Sequence, residues 1–149
     1  MSRHSTYAKE LFEQGYNCSQ AVFLAFSDVT SLEKDLALKI SSSFGGGMGR
    51  LREVCGALTG AFMAAGIMYG YSDPKDDLHK AKHYELIQRL AKQFEEENGS
   101  LLCRDLLGLG GGKDSPIPET RTKEYYKARP CACIVESAAR ILDEYMEKG

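Results

Sequence analysis

Apolar residues recur every three or four positions along most of the chain. No stretch alternates apolar with polar residues between turn signals, as a half-buried strand would. This periodicity predicts an all-α fold, a helical bundle of about five to seven helices joined by glycine-rich loops. The length of 149 residues is enough to bury a core without covalent braces, so the chain is interpreted as a single domain covering residues 1–149.

Capping residues and glycines give the predicted helix boundaries. The predicted helical segments are 4–15, 17–28, 31–44, 51–69, 72–99, a short helix or turn at 100–108, 120–127 and 131–149, with a loop at 109–119. Gly15 and Gly99 end two of them, because glycine adopts a left-handed conformation without steric cost. Asn17 and Ser31 are the predicted N-caps of the second and third helices.

Helical spacing also predicts which faces are buried. Small residues at intervals of three and four in 51–69 indicate that a neighbouring helix approaches closely there, and Gly60 is the clearest such position. The apolar positions predicted to face inward in the third, longest and last helices are Leu32, Leu36, Ile40, Ser43, Leu78, Ala81, Leu86, Leu90, Phe94, Ile134, Ala138, Ile141, Leu142 and Tyr145.

Charge and hydropathy exclude several classes of function. Acidic and basic side chains are interleaved and give a formal net charge of -2, so no basic stripe is present for a nucleic acid backbone. The longest apolar run, 61–71, is short and broken by glycine, which argues against membrane insertion. The N-terminal residues contain no apolar leader, and the expected location is the cytoplasm.

The five cysteines are the unusual feature of the composition. Four of them, Cys18, Cys55, Cys103 and Cys131, fall at predicted helix beginnings. Unpaired amides and the positive end of the helix dipole lie there, and both stabilise a thiolate, the form that binds metals and attacks disulfides. The wide spacings exclude the local CxxC pairs of zinc ribbons, so any shared site must be assembled from separate elements.

A structural role for the same cysteines is a competing interpretation, because a reduced cysteine behaves as a small, frequently buried hydrophobe. The arginines near these cysteines in sequence also have two interpretations. Arg50, Arg52 and Arg104 lie close in sequence to Cys55 and Cys103, where they would lower thiol pKa values, but they also fit a solvated surface.

Other motifs do not meet the requirements of the sites that they resemble. The segment GGGMGR lacks the preceding strand of a dinucleotide-binding loop, and GLGGGKDS has the wrong glycine spacing for a P-loop, with Asp114 in place of its Ser or Thr. His4, His79 and His83 are scattered. The pair His79 and His83 shares a helix face without an HExxH pattern, so a solvated face is the favoured interpretation.

Four short segments in order closely resemble the redox-active family named for its C, CGAxxG, C, C cysteine pattern. They are GYNCSQAV, FGGGMGRLREVCGALTGAFMAAG, CRDLLG and CACIVESAARIL, and together they cover nearly the whole chain. The resemblance carries over to Cys18, Cys55 and Cys103. Cys131 is chosen as the fourth by its distance to Val135, with Cys133 as the alternative.

The resemblance implies a small helical protein with four redox-active or metal-binding cysteines, often encoded near transporter components. The unidentified redox partner is therefore expected to include transporter-associated proteins among its candidates. A similar domain in a multidomain haem cytochrome with an iron–sulfur centre favours a cluster over simple dithiols. A homodimer is compatible with the small-residue helix faces.

Three hypotheses remain open from the sequence. In the first, the four cysteines bind an iron–sulfur cluster, most simply [2Fe–2S], for electron transfer or redox sensing, with a four-thiolate zinc site as a less favoured relative. In the second, two cysteines cycle between dithiol and disulfide without a metal cofactor. In the third, the cysteines fill the core of a helical interaction module.

The glycines before Cys55 have a predicted role in such a site. A turn at Gly45–Gly49 would direct amide N–H groups toward Cys55, as a nest of amides stabilises a thiolate or a cluster sulfide. Gly56, Ala57 and Gly60 would keep side-chain bulk away from whatever Cys55 holds. Gly47 and Gly56 are accordingly counted with the four cysteines as candidate cofactor-binding residues.

Overall fold

The computed structural model describes residues 2–109 and 112–148. Its helices, in chain order, are α1 (Arg3–Glu13), α2 (Cys18–Ala25), α3 (Ser27–Thr30), α4 (Lys34–Ser42), α5 (Gly45–Met48), α6 (Gly56–Tyr69), α7 (Asp77–Asn98), α8 (Cys103–Leu106), α9 (Lys123–Ala128) and α10 (Cys131–Lys148). Six of these contain seven or more residues. The described residues contain no strand beyond a single β-bridge between Val54 and Leu102, so the all-α prediction is confirmed.

Helices α1, α2, α6 and α10 form the centre of the bundle, with α4 packed on α2 and α7 packed on α6 and α10. Their shared core is built from large side chains with almost no exposed surface, among them Phe12, Phe23, Leu58, Val135 and Leu142. Burial of a side chain of this size contributes about 1.5–3 kcal/mol relative to exposure. The burial of these side chains therefore holds the four central helices together.

Several predicted helix ends are confirmed by the backbone. Gly15 follows α1 with a φ of 110°, and Gly99 ends α7 with a φ of 95°. Asn17 caps α2 by accepting a hydrogen bond from the Gln20 amide, while the Gln20 side chain accepts one from the Asn17 amide. This reciprocal pair satisfies two amides at the start of α2 and fixes the position of Cys18.

The predicted buried face of the third helix is wrong. Leu36 and Ile40 are 49% and 43% exposed, and the buried residues of α4 are Ala37 and Ser41. These small side chains face α2, and the Ser41 hydroxyl donates to the Ala37 carbonyl, which removes the cost of burying it. Sequence periodicity favoured the larger side chains, but close helix packing selects the smaller ones.

Other boundaries also differ from the predictions. Ser31 does not cap α4; it ends α3 in a left-handed conformation, and Glu33 caps α4 instead. The central helix begins at Gly56 rather than residue 51, because Arg52 has a left-handed φ of 60° and residues 53–55 pair with residues 101–103 through backbone hydrogen bonds.

The long helix α7 begins at Asp77, with Asp76 as its N-cap, rather than at the predicted residue 72. Pro74 therefore lies before the helix and not in its first turn. Leu78, which is 69% exposed, and Ala81 face solvent, because the first turns of α7 extend past the core. Leu86, Leu90 and Phe94 are buried as predicted. In the last helix Ile134, Ala138, Ile141 and Leu142 are buried, and Tyr145 is half-buried.

Across the described ranges, no helix combines the length and the apolar character that crossing a bilayer requires.

Helices α2 and α6 approach each other closely at Gly60, and this close approach leads to a testable prediction. A Cβ at Gly60 would lie 2.8 Å from the Ser19 carbonyl oxygen, whereas a Cβ at Gly66 on the same helix meets nothing within 4 Å. We expect Gly60→Ala to lower the free energy of unfolding by about 1–3 kcal/mol through overpacking. We expect Gly66→Ala to raise it by about 0.4–1 kcal/mol.

Urea denaturation of the two variants beside the wild type measures the difference, and both substitutions make the same gain in helix propensity. Equal effects of the two substitutions would contradict the close approach at Gly60.

Candidate functional site

The first residues of four helices converge on one cavity. Cys18, Cys103 and Cys131 are the first residues of α2, α8 and α10, and Cys55 is the N-cap of α6. All four line a small cavity of about 20 Å³, which has room for about one water molecule. Glycine and apolar side chains complete its wall: Gly46, Gly47, Gly56, Leu106, Leu107 and Ile134.

The cavity brings together all six residues that the sequence singled out as a candidate cofactor site, including Gly47 and Gly56. Cys55, Cys103 and Cys131 are buried and Cys18 is half-buried. Cys133 is exposed and does not line the cavity. Of the two candidates for the fourth cysteine, Cys131 is therefore the one placed with the others.

Backbone hydrogen bonds place Cys55 beside Cys103. The Cys55 amide donates to the Leu101 carbonyl at 2.8 Å, and the Cys103 amide donates to the Glu53 carbonyl at 2.6 Å. These bonds flank the antiparallel bridge between Val54 and Leu102. The two segments that lead into α6 and α8 are thus joined by their backbones, and the two cysteines enter the cavity from one side.

Two glycines allow neighbouring backbone to lie against these segments. Gly47 has a φ of 68°, and a Cβ there would lie 2.7 Å from the Cys103 Cβ. A Cβ at Gly56 would lie 2.7 Å from the Phe44 carbonyl oxygen. Both positions are therefore restricted to glycine by space, and Gly47 also by its backbone conformation.

The predicted sources of amide donors and of free space around Cys55 need correction. The amides on the Cys55 sulfur are those of Ala57 and Leu58, at the start of α6 rather than in the Gly45–Gly49 turn. Gly60 does not line the cavity, because it faces Ser19 and Val22 of α2. The start of α6 supplies the donors because its first amides have no intrahelical partner.

Cys18 and Cys131 form a close thiol pair. The Cys18 thiol donates a hydrogen bond to the Cys131 sulfur, which raises the pKa of Cys18 well above its ordinary value. The same hydrogen bond lowers the pKa of Cys131, although burial opposes this, and positive charge from Arg129, Arg121 and Arg52 adds to the lowering. Cys131 is thus the thiol of this pair that ionises first.

Burial is the main influence on the pKa values of Cys55 and Cys103. Desolvation raises the pKa of Cys55 to about 12, despite the amides of Ala57 and Leu58. Desolvation also raises the pKa of Cys103, even though Arg52 donates to its sulfur at 3.4 Å. The helix starts therefore do not favour the thiolate at Cys55 and Cys103, because the loss of hydration disfavours the charged form more than the nearby amides and arginine favour it. At Cys18 the hydrogen bond with Cys131 is the main reason that the pKa is raised.

An open cleft of about 180 Å³ adjoins the cavity and shares Cys18, Cys103 and Cys131 with it. Among the residues that line the cleft are Arg50, Arg52, Arg121 and Arg129. Of the three arginines that the sequence proposed, Arg104 does not line it and pairs with Glu53 instead. The cleft is the route by which the cysteine pair meets solvent.

Arg121 and Arg129 were missed by sequence reasoning. Arg129 stands two residues before Cys131, so its position next to a helix-start cysteine was a usable signal. Arg121 had no local signal, because it reaches the site by donating to the Phe12 and Tyr16 carbonyls, which are distant in sequence.

The histidines stand apart from this site. His79 lies near Asp76 and the Tyr69 carbonyl, and His4 bridges Asp28 and Asp143. In the part of the chain that the structure describes, no group of three or more His, Cys, Asp or Glu side chains could hold a metal ion as positioned.

Comparison with known proteins finds one family. A family model described as "Putative redox-active protein (C_GCAxxG_C_C)" matches residues 16–145. That range contains the four cysteines of the cavity and the run CGALTG from Cys55 to Gly60. The search of curated proteins found no match, and the search of solved structures found none.

The unequal surroundings of the thiols predict unequal reactivity. In a Cys133→Ser background, pulse alkylation followed by mass spectrometry should show Cys131 reacting at the lowest pH, because its pKa is lowered while those of the other three cysteines are raised. Arg129→Gln should move the Cys131 midpoint to higher pH, since a positive charge that favours the thiolate is lost.

Arg140→Gln, in the middle of the helix that Cys131 begins, is the matched control and should leave the midpoint in place. A Cys131 that titrates together with Cys18 or above it would contradict this account of the pair.

Proposed function

The chain belongs to the C_GCAxxG_C_C family of redox-active proteins, and from that premise we propose that it is a thiol–disulfide redox protein in which Cys18 and Cys131 cycle between two thiols and a disulfide. The observation that carries the proposal is that Cys18 and Cys131, at the starts of α2 and α10, line both the inner cavity and the cleft that adjoins it. A reducing compartment such as the cytoplasm, where the chain is proposed to act, keeps such a pair available for exchange.

The two cysteines have different roles in this chemistry. Cys131 is the attacking thiolate, because its pKa is lowered by the Cys18 hydrogen bond and by Arg129, Arg121 and Arg52. Cys18 is the resolving thiol, because it stays protonated until Cys131 has reacted. Once the Cys131 sulfur carries a disulfide bond, the thiolate that held the Cys18 proton in place is gone, and Cys18 can ionise and attack in turn.

Cys55 and Cys103 have a supporting role in this proposal. Their raised pKa values keep them neutral at physiological pH. They therefore line the inner cavity beside the pair and do not compete with Cys131 as nucleophiles.

A four-cysteine iron–sulfur cluster is the second candidate, favoured by the convergence of all four cysteines on one cavity. The donor set fits a [2Fe–2S] cluster in its chemistry, because four thiolates are its usual ligands, and Gly47 keeps side-chain bulk away from Cys103. The cysteines would have to move to hold a metal, since none of the described groups could hold one as positioned. A bound cluster would supply one-electron transfer, with Cys18, Cys55, Cys103 and Cys131 as its ligands.

The dithiol proposal predicts a disulfide between two named residues. Mild oxidation of the reduced protein should remove two hydrogens from its mass and protect Cys18 and Cys131 from alkylation. Cys18→Ser and Cys131→Ser should each abolish this change, while Cys133→Ser should keep it, because Cys133 is exposed and lies outside the pair.

Circular dichroism of each variant checks that its helices are retained. A disulfide that forms with Cys55, or no disulfide in a folded wild-type protein, would overturn the proposal.

Cys55→Ser separates the two candidates. The dithiol proposal predicts that this variant still forms the Cys18–Cys131 disulfide, whereas a four-thiolate cluster loses one of its ligands. Anaerobic purification of wild type and variant, with visible absorption and analysis for iron, zinc and sulfide, gives the second readout. A colourless wild-type protein without iron or zinc would remove the metal candidate.

A further inference from the structure

The cleft next to the cysteine pair is lined by more positive than negative charge. Arg50 and Arg52 both pair with Asp114, and Arg50 and Arg129 both pair with Glu119. Within residues 2–109 and 112–148, these two carboxylates are the only ones paired with the arginines of the cleft. This surplus occurs in a chain whose formal net charge is -2.

Arg121 contributes a charge that neutral groups hold in place. Its guanidinium donates to the carbonyl oxygens of Phe12 and Tyr16 and stacks on the Phe12 ring at 4.4 Å. Tyr125 lies on the same guanidinium at 5.0 Å. Carbonyl oxygens and aromatic rings hold this guanidinium in place, but they carry no formal charge to neutralise it. Arg121 can therefore still attract an anion in the cleft.

The cleft leads directly to the cysteine pair. Cys18 and Cys131 line both the inner cavity and the cleft, and Arg50 and Arg129 keep only 17% and 16% of their side chains exposed. Partly buried guanidinium groups interact with an anion more strongly than fully solvated ones do, because less water screens them. A molecule that reaches the pair through the cleft therefore passes between fixed positive charges.

From this arrangement we propose that the cleft binds small anionic disulfides, that is, low-molecular-weight disulfides that carry carboxylates, and presents them to Cys131. This inference rests on the dithiol function proposed above and names its substrate class. The carboxylates lie against the arginines, and the sulfur–sulfur bond lies toward the cysteine pair. A volume of about 180 Å³ suits a small molecule rather than a folded protein.

The exchange balances without any further reactant. The Cys131 thiolate attacks one sulfur of the substrate, the substrate disulfide breaks, and one thiolate leaves and takes up the Cys18 proton. Cys18, now a thiolate, attacks the Cys131 sulfur of the mixed disulfide and expels the second thiolate, which takes up from water the proton that Cys131 released on ionising. The substrate gains two electrons and becomes two thiols, while the protein loses two hydrogens and holds one disulfide.

Three probes of different charge test the substrate class. The reduced protein is mixed with dithiodiglycolate, which is dianionic, with hydroxyethyl disulfide, which is neutral, or with cystamine, which is dicationic. Each rate of Cys18–Cys131 disulfide formation is divided by the rate of the same probe with free mercaptoethanol, which removes differences in intrinsic reactivity. We expect the dianion to be favoured over the neutral probe by about tenfold or more, and this preference to fall as salt is added.

Two arginine variants test whether the preference for the dianion arises from the charges of the cleft. Arg50→Gln removes a charge from the cleft, and the main charges that lower the pKa of Cys131 are instead those of Arg129, Arg121 and Arg52. The variant should lose most of the preference for the dianion, measured as the ratio of its normalised rates with the dianionic and the neutral probe. Arg104→Gln is the matched control, because Arg104 lies on the neighbouring segment outside the cleft, and it should keep the preference.

The outcomes separate this inference from the function on which it rests. Disulfide formation at equal normalised rates with all three probes would overturn the anionic substrate class and leave the dithiol function standing. Failure of every probe to oxidise the pair would overturn both. Should Arg50→Gln not fold, the probe series and its salt dependence on the wild-type protein decide the matter alone. A Cys18→Ser variant that traps the dianion as a mixed disulfide at a residue other than Cys131 would also overturn the proposal.

Discussion

The cysteine cavity depends on how closely its backbone segments approach one another. At Gly47 and Gly56 a single added carbon would lie within 3 Å of neighbouring atoms, so the chain on either side is held at the distance of backbone contact. The hydrogen bonds of Cys55 and Cys103 to Leu101 and Glu53 then fix two helix starts relative to each other. Without this approach the four cysteines would lie on separate helix ends and share no cavity.

Within the cavity, the balance between burial and positive charge distinguishes one thiol from the others. Desolvation works against ionisation at all four cysteines, and it prevails at Cys55 and Cys103. Only Cys131 combines a hydrogen bond from a neighbouring thiol with several guanidinium charges. A helix beginning is therefore insufficient to make a reactive thiolate, and the charged loops that surround it decide which one forms. The arginines that select Cys131 also line the route to solvent, so one set of charges serves both nucleophile and cleft.

Much of this site could be predicted from the sequence, because local signals placed it. Asn17 and the glycines after α1 and α7 marked helix boundaries, and Asn17 placed Cys18 at the start of α2. The buried face of α4 could not be predicted, because Leu36 and Ala37 both fit a helical stripe and only the distance to α2 favours the smaller one. Arg121 was equally out of reach, since its partners Phe12 and Tyr16 are more than a hundred residues away along the chain.

The sequence by itself determined the all-α class, the start of α2 at Cys18 behind its cap Asn17, and the glycines beside Cys55. These are consequences of spacing, capping and backbone freedom, which act over a few residues. Only the tertiary structure decided that Cys18 and Cys131 line one cavity, that burial raises the pKa values of Cys55 and Cys103, and that arginines from distant segments share one cleft. Those outcomes depend on desolvation and on charge at short distance, and neither is defined until separate segments have packed together.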